Sequence, residues 1–374
     1  MQVGIPAEVK DSEFRVAMTP AGVHELARRG HAVLVQAGAG LGSAIPDEDF
    51  ATAGARLVPS AEDLWADSDL VLKVKEPVEH EYPLLSAHPH QVLFTYLHLA
   101  ASRACTEALL AAGNRAVAYE TVQTPDGALP LLAPMSEVAG RMAPQVGAHC
   151  LERASGGRGV LMGGVSGVYA AKVVVLGAGV SGMNAAAIAL GMQAEVLLLD
   201  RNIDKLRAAD RIYQGHLQTI ASNTYEIERA CEDADLVIGA VLVAGARAPK
   251  LVSNDLVARM KPGSVLVDIS VDQGGCFEAT RPTTHSDPTF PVEGSLFYCV
   301  ANMPGAVPHT STYALTNVTL PYILEIADRG LDAAVADDAA LALGVNVVDG
   351  HLVSAPVAAA HGLPQQPLTA VLGG

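Results

Sequence analysis

KVVVLGAGVSGMNAAAIALGMQAEVLLLD, residues 172–200, decides how the rest of the chain is read. Val173 to Leu176 are a short apolar run that predicts a buried strand, and Gly177, Gly179 and Gly182 follow in G-x-G-x-x-G spacing. An alanine-rich helix runs to about Leu190, Gly191 stops it, and Glu195 to Leu199 read as a second strand ending at Asp200. Glycine spacing alone carries little in a chain with 35 glycines. The context carries more: a strand before, a helix after, and an acid about 20 residues on, behind a second strand. Gly177 suits the tight turn, Gly179 lets backbone approach a pyrophosphate, and Gly182 permits close helix–strand packing. Val180 and Ser181 open the helix, whose free N–H groups and positive dipole end favour phosphate. Asp200 can accept both ribose hydroxyls of an adenosine, and its charge opposes a 2′-phosphate. The expectation is therefore NAD rather than NADP, although Arg201 beside it is the kind of cation a 2′-phosphate would need. An ordinary βαβ unit with no ligand is the alternative.

At 374 residues the chain has room for two domains, and half of it is hydrophobic. The net charge of −16 argues against nucleic acid or an anionic membrane as partner. Five cysteines (Cys105, Cys150, Cys231, Cys276, Cys299) are scattered and never in C-x-x-C, which fits a reducing cytoplasm without a structural metal. The mean hydropathy of +0.29 comes largely from alanine and valine. No apolar run reaches the roughly 18 residues of a membrane span. The opening MQVGIPAEVK lacks the basic-then-apolar layout of a signal peptide. Twelve histidines show no H-x-x-x-H or H-E-x-x-H spacing, so no metal site is expected.

Strands are expected at 2–5, 32–36, 69–74, 92–97 and 116–121, with helices at 20–29, 60–66 and 102–112 among them. Such alternation implies a mainly parallel sheet. Ser136 is a plausible cap of a helix running to about Arg153, with Pro144 a possible kink. Beyond the opening strand at Lys172, helices at 203–211, 225–233 and 253–260 alternate with strands at 217–221, 235–241 and 265–269. The stretch FYCVANMPGAVPHTSTYALT reads as one more strand and a turn, and a helix follows over 316–329 with Pro321 near its start. The fold class is thus α/β: two Rossmann-like doubly wound domains with a cleft between them. The first domain, over 1–130 and 308–374, is discontinuous; the second, over 131–307, binds the cofactor.

In open α/β sheets, ligands sit outside the carboxyl ends of the strands. Polar residues at those ends are Arg15, Lys75, His98, Asp272 and Asn302, with Met303 beside the last. A carboxylate substrate wants a bidentate cation such as Arg15, and Lys75 adds a second charge. His98 carries an imidazole, which can donate to or accept from a substrate oxygen. Asp272 can bind ammonium or activate water. Together they suit a small 2-oxo or 2-amino acid beside a nicotinamide, although His98 alone reads more often as structural, and Arg15 and Lys75 alone more often as surface charge. Lys73 and Glu76 are set aside as decoys.

Eight blocks in order, among them VGIPAEVKDSEFRVAMTPAGV, LKVKEP, FTYLHLA, PLLAPMSEVAGRMA, DISVDQGG and YCVANMPGAVPHTST, make the chain resemble the alanine dehydrogenase and pyridine nucleotide transhydrogenase family over nearly its full length. The resemblance implies reversible oxidative deamination of L-alanine to pyruvate and ammonium with NAD. It implies that Arg15 and Lys75 hold the substrate, that His98 is the general acid/base, and that Asp272 is the second catalytic residue. It places Ser136, Gly177, Gly179, Val180, Ser181, Gly182, Asp200, Lys205, Ser222, Val241, Leu242, Ile269, Ser270, Val271, Asp272, Arg281, Ala301, Asn302, Met303 and Pro304 at the cofactor. It also implies a homohexamer. The soluble NAD-binding component of a transhydrogenase, which works with a membrane partner, is the rival reading. A non-catalytic NAD-binding protein is a third.

Overall fold

The computed structural model describes residues 1–88, 90–241 and 248–372. The chain divides into two compact units, Met1–Met135 with Val307–Gly374, and Ser136–Ala306. In the first unit, β1 (Gln2–Ile5), β2 (Ala32–Gln36), β3 (Arg56–Val58), β4 (Leu70–Leu72), β5 (Val92–Thr95) and β6 (Arg115–Ala118) form a parallel sheet in the order β3-β2-β1-β4-β5-β6. Helices α1 (Pro20–Arg28), α2 (Asp47–Thr52), α3 (Ala61–Asp67) and α4 (Arg103–Ala112) make the connections. Local chemistry sets their starts. Thr19 accepts from the Gly22 N–H with Pro20 at the first helical position, and Ser60 and Ser102 accept from Asp63 and Cys105. The central strands are buried on both faces, as parallel strands under helices must be.

Helix α5 (Ala133–Leu151) leads out of the first unit. It begins at Ala133, so Ser136 is its fourth residue and not its cap. In the second unit β7 (Lys172–Leu176), β8 (Glu195–Asp200), β9 (Gln218–Ala221), β10 (Leu236–Gly239), β11 (Val265–Asp268) and β13 (Ser295–Tyr298) lie parallel in the order β9-β8-β7-β10-β11-β13. An additional strand, β12 (Thr289–Val292), pairs antiparallel with β13 at the edge. It was not expected because Pro291 interrupts its pattern; an edge strand tolerates proline. Glu293 and Gly294, both at positive φ, form its tight turn. Helices α6 (Val180–Gly191), α7 (Ile203–Tyr213), α8 (Thr224–Glu232) and α9 (Asn254–Arg259) connect these strands.

The chain re-enters the first unit through α10 (Pro308–Arg329), which starts eight residues before the expected Thr316. Pro308 at its first position needs no donor and has its φ preset, so the Pro- and Thr-rich segment opens a helix rather than a turn. Thr312, a residue of that segment, is buried and accepts from the Val16 N–H at 3.1 Å. Pro321 is consequently interior. Strands β14 (Val345–Val348) and β15 (His351–Leu352) then extend the first sheet antiparallel beyond β6. Both sheets reverse direction of growth once, between β1 and β4 and between β7 and β10, and these are the points where such folds bind ligands. No helix among the described residues is long and apolar enough to cross a membrane.

Candidate active site

Of the residues singled out in the first unit, Lys75 and His98 lie just past the carboxyl ends of β4 and β5, and Arg15 lies in the long loop after β1. Each is held by a carboxylate. Arg15 is buried, and its Nε and Nη2 bind Glu13 Oε1 and Oε2 at 2.6 and 2.5 Å. Burial disfavours the guanidinium charge, but Glu13 outweighs it, so the Arg15 pKa rises. The Nη1 edge points to Met135 Sδ at 3.0 Å.

Lys75 is positioned through its backbone. Glu8, from the loop after β1, accepts from Val74 N at 2.6 Å and reaches Lys75 N at 3.4 Å, while Thr95 Oγ1 donates to the Lys75 carbonyl at 3.0 Å. Glu8 also pairs with Lys73, which is fully buried and bonded to Glu81 at 2.9 Å. Lys73 is therefore a strut under the loop. A buried ammonium between two carboxylates keeps its charge.

His98 sits in the left-handed region at φ 49°. This is a conformation that costs free energy for a side chain other than glycine. Glu120 imposes it by accepting from His98 N at 2.6 Å and from Leu97 N at 3.2 Å. The imidazole lies 5.9 Å from the Tyr96 ring, tilted 27°, and its Nδ1 is 3.3 Å from Glu76 Oε2. Glu76, set aside in the sequence, is thus a direct partner of His98, and it also bonds Lys10. Its burial pushes the carboxyl up, but the hydrogen bonds from His98 and Lys10 prevail and hold it down at about 2. His98 itself remains 41% exposed and so is reachable.

In the second unit the glycines of the fingerprint fill three separate needs. Gly177 has φ +104°, and a Cβ there would lie 2.6 Å from the Ala240 carbonyl oxygen. A Cβ on Gly182 would lie 1.7 Å from the Gly177 oxygen. A Cβ on Gly179 would meet nothing within 4 Å. Gly179 is also the cap of α6, where no side chain bonds the first N–H groups. Those two features fit a pyrophosphate, which needs open space and free donors at a helix start. Val180 and Ser181 begin that helix, and Gly140 of α5 packs against it so closely that a Cβ would come within 2.3 Å of the Ser181 oxygen. Ser136 stands one turn earlier on the same face of α5.

Asp200 ends β8. Its Oδ2 accepts from Ala178 N and its Oδ1 from Asn202 N, both at 2.7 Å, while its carbonyl accepts from Ser222 N. One carboxylate thus ties the glycine loop to the end of the neighbouring strand. Arg201 beside it is exposed, as is Lys205 in the first turn of α7. Val241 follows β10; Leu242 lies outside the described residues.

The loop after β11 carries Ile269, Ser270, Val271 and Asp272. It is organised by the buried carboxylate of Asp268, which accepts from Ser270 N at 3.0 Å, Cys276 N at 2.8 Å and Thr280 Oγ1 at 2.5 Å. Arg281 stacks 4.2 Å over the Phe290 ring. After β13 come Ala301, Asn302, Met303 and Pro304; His285 Nε2 lies 2.7 Å from the Asn302 carbonyl. Most of the described residues expected at the cofactor therefore stand at the carboxyl ends of strands of the second sheet or in the loops and first helical turns that follow them. Of the residues missed in the sequence, Glu8, Glu13, Glu76 and Glu120 bond Lys75, Arg15 and His98, Asp268 holds the loop after β11, and His285 meets the Asn302 carbonyl. Their only signal was the abundance of acids in strand-end loops, as in PAEVKDSEFR.

The chain is similar to known proteins over nearly its full length. The family model for the alanine dehydrogenase/PNT N-terminal domain matches residues 4–139, and that for the alanine dehydrogenase/PNT C-terminal domain matches residues 143–355. Alanine dehydrogenase of Mycobacterium tuberculosis is 65% identical over 97% of this chain and 98% of its own. A solved L-alanine dehydrogenase superposes with a TM-score of 0.94 at 49% identity, covering 97% of this chain and 99% of that one. A transhydrogenase from Sinorhizobium meliloti superposes with a TM-score of 0.78 at 26% identity, covering 95% and 99%.

Proposed function

The chain belongs to the alanine dehydrogenase/PNT family, and from that premise we propose that it catalyses the reversible, NAD-dependent oxidative deamination of L-alanine to pyruvate and ammonium. The observation that carries this reading is the trio Arg15, Lys75 and His98 on strand-end loops of one sheet, each braced by a carboxylate. Two cations and an imidazole suit a small 2-oxo acid. Hydride exchange between two nucleotides, the rival activity, needs no carboxylate clamp, and the transhydrogenase is the more distant structural match.

Open space at Gly179 and the uncapped start of α6 fit the pyrophosphate of NAD, and we assign Asp200, at the end of β8, to the adenosine ribose. When bound, NAD supplies the acceptor for the hydride that leaves the alanine Cα. Arg15 and Lys75 hold the substrate carboxylate and, in the reverse direction, the pyruvate oxo group. His98 exchanges a proton with the nitrogen or oxygen borne on the substrate Cα as water adds to the imine and ammonia departs. Asp272 orients that water or the ammonium. The reaction balances as alanine, NAD⁺ and water giving pyruvate, ammonium, NADH and a proton.

We assign residues 1–130 and 308–374 to the substrate domain and 131–307 to the NAD domain; the two compact units support that assignment. We also infer a cytoplasmic homohexamer, a reading supported by the family resemblance and by the buried, free cysteines. Light scattering of the purified protein measures the assembly. The activity is tested by following NADH oxidation with pyruvate plus ammonium against pyruvate alone. Turnover that requires ammonium is expected; no turnover with any 2-oxo acid would overturn the reading.

A further inference from the structure

His98 is restrained from three sides. Glu120 fixes its backbone, Tyr96 lies against its ring, and Glu76 meets its Nδ1 at 3.3 Å. Of these only Glu76 touches a titrating atom. Glu76 is a poor candidate for ordinary surface charge, since its side chain is only 16% exposed while the imidazole it meets is 41% exposed. Lys10, from the same loop that carries Arg15, bonds the other oxygen of the carboxylate. The two partners therefore hold it by both ends, Oε1 on Lys10 and Oε2 on His98.

We propose that Glu76 is a positioning residue for catalysis: it keeps the proton of the neutral His98 ring on Nδ1, so that Nε2 is the nitrogen that exchanges protons with the substrate. The proposal rests on the acid–base role given to His98 above. An ionised carboxylate has no hydrogen to donate, so a bond between Glu76 and Nδ1 requires the hydrogen on Nδ1. Burial pushes the Glu76 carboxyl up, and the His98 and Lys10 bonds overcome it and hold it near 2, so it stays ionised throughout the neutral range. With Nδ1 occupied, the neutral ring offers its lone pair only at Nε2. When Nε2 takes a proton, the imidazolium gains a charge-assisted bond to the same carboxylate. The arrangement works in both directions of the reaction, because either way one protonation change occurs at one defined nitrogen.

Three substitutions separate this role from simple packing. In Glu76→Gln the amide can either accept from Nδ1 or donate to it, so the tautomer is no longer imposed. Glu76→Leu keeps volume without polarity. Glu76→Asp keeps the charge on a shorter arm. We expect the Gln and Leu variants to lose at least about 10-fold in kcat, as when a carboxylate behind a functional histidine is removed. The KM for pyruvate and the Kd for NADH should stay within about twofold, and the Asp variant should recover part of kcat. The second readout needs no turnover: long-range ¹H–¹⁵N spectra of protein labelled on histidine, with the His98 signals assigned by their loss in His98→Asn. The wild-type ring should show the hydrogen on Nδ1, and the Gln and Leu variants should shift it toward Nε2. Wild-type kcat in the Gln and Leu variants, or a wild-type spectrum with the hydrogen on Nε2, would overturn the proposal. If the variants unfold, the wild-type spectrum alone decides. An inactive wild type with the hydrogen on Nδ1 would instead count against the alanine reaction and leave the Glu76–His98 pairing standing.

Discussion

Gly179 and Gly182 are three residues apart, and alanine at each has a different outcome. At 182 the new methyl carbon would overlap the Gly177 carbonyl, so Gly182→Ala should melt at clearly lower temperature even without ligand. At 179 the space is open, so Gly179→Ala should fold normally and lose affinity for NADH, seen by fluorescence titration. Equal melting temperatures for the two would contradict this division. His98→Ala should bind NADH nearly as well as the wild type while kcat falls about 10²- to 10⁴-fold. Normal turnover in that variant would remove His98 from the mechanism. Lys75 and His98 were legible in the sequence because each closely follows an apolar run that reads as a buried strand, and Arg15 as the arginine of the loop after the first strand. Their carboxylate partners were not. Glu76 stands one residue from Lys75, and nothing in a loop's spacing tells which cation or imidazole an acid will meet; that depends on how neighbouring strand ends are brought together.

At the scale of elements, strands and helices with strong apolar patterns were legible; the short α2 and β3 were not expected, and two other departures involve proline. Pro291 hid β12 and Pro308 hid the first two turns of α10, because proline signals a break unless its position at a sheet edge or a helix start is known. The loop after β11 shows how one side chain can take the place of regular structure. Asp268 accepts three hydrogen bonds across residues 270–280, and Gly275 at φ +74° lies so close that a Cβ would sit 2.5 Å from its Oδ2. Asp268→Ala should cost about 2–4 kcal/mol by removing a buried charged acceptor and orphaning its donors. Calorimetric melting checks the cost. Raised KM for NADH in the same variant would show that the loop's order matters to the cofactor.

For the molecule as a whole, acid should be the weak side. The Glu76 carboxyl is held at about 2 when folded, against 4.5 for the free group, and Asp349 is held low chiefly by its hydrogen bond from Arg115. A carboxylate with a depressed folded pKa contributes stability above its unfolded value, and that contribution drains away as pH falls through the folded one. Burial has the opposite effect on Glu8 and Asp268, whose pKa values are raised, so those two offset part of the loss. The melting temperature should therefore fall as the pH drops below 4.5, and less steeply in Glu76→Gln; an identical slope in both would show that this pair does not govern it.

The late pairing of β14 with β6 has a consequence for synthesis. Strands β1 to β6 leave the ribosome first, yet the edge beyond β6 stays open until residues 345–352 arrive, after the whole of the second unit. The second unit is one uninterrupted stretch, so its sheet is complete while the first still shows bare hydrogen-bonding groups at that edge. A ribosome stalled between the two events would present that edge to other nascent copies.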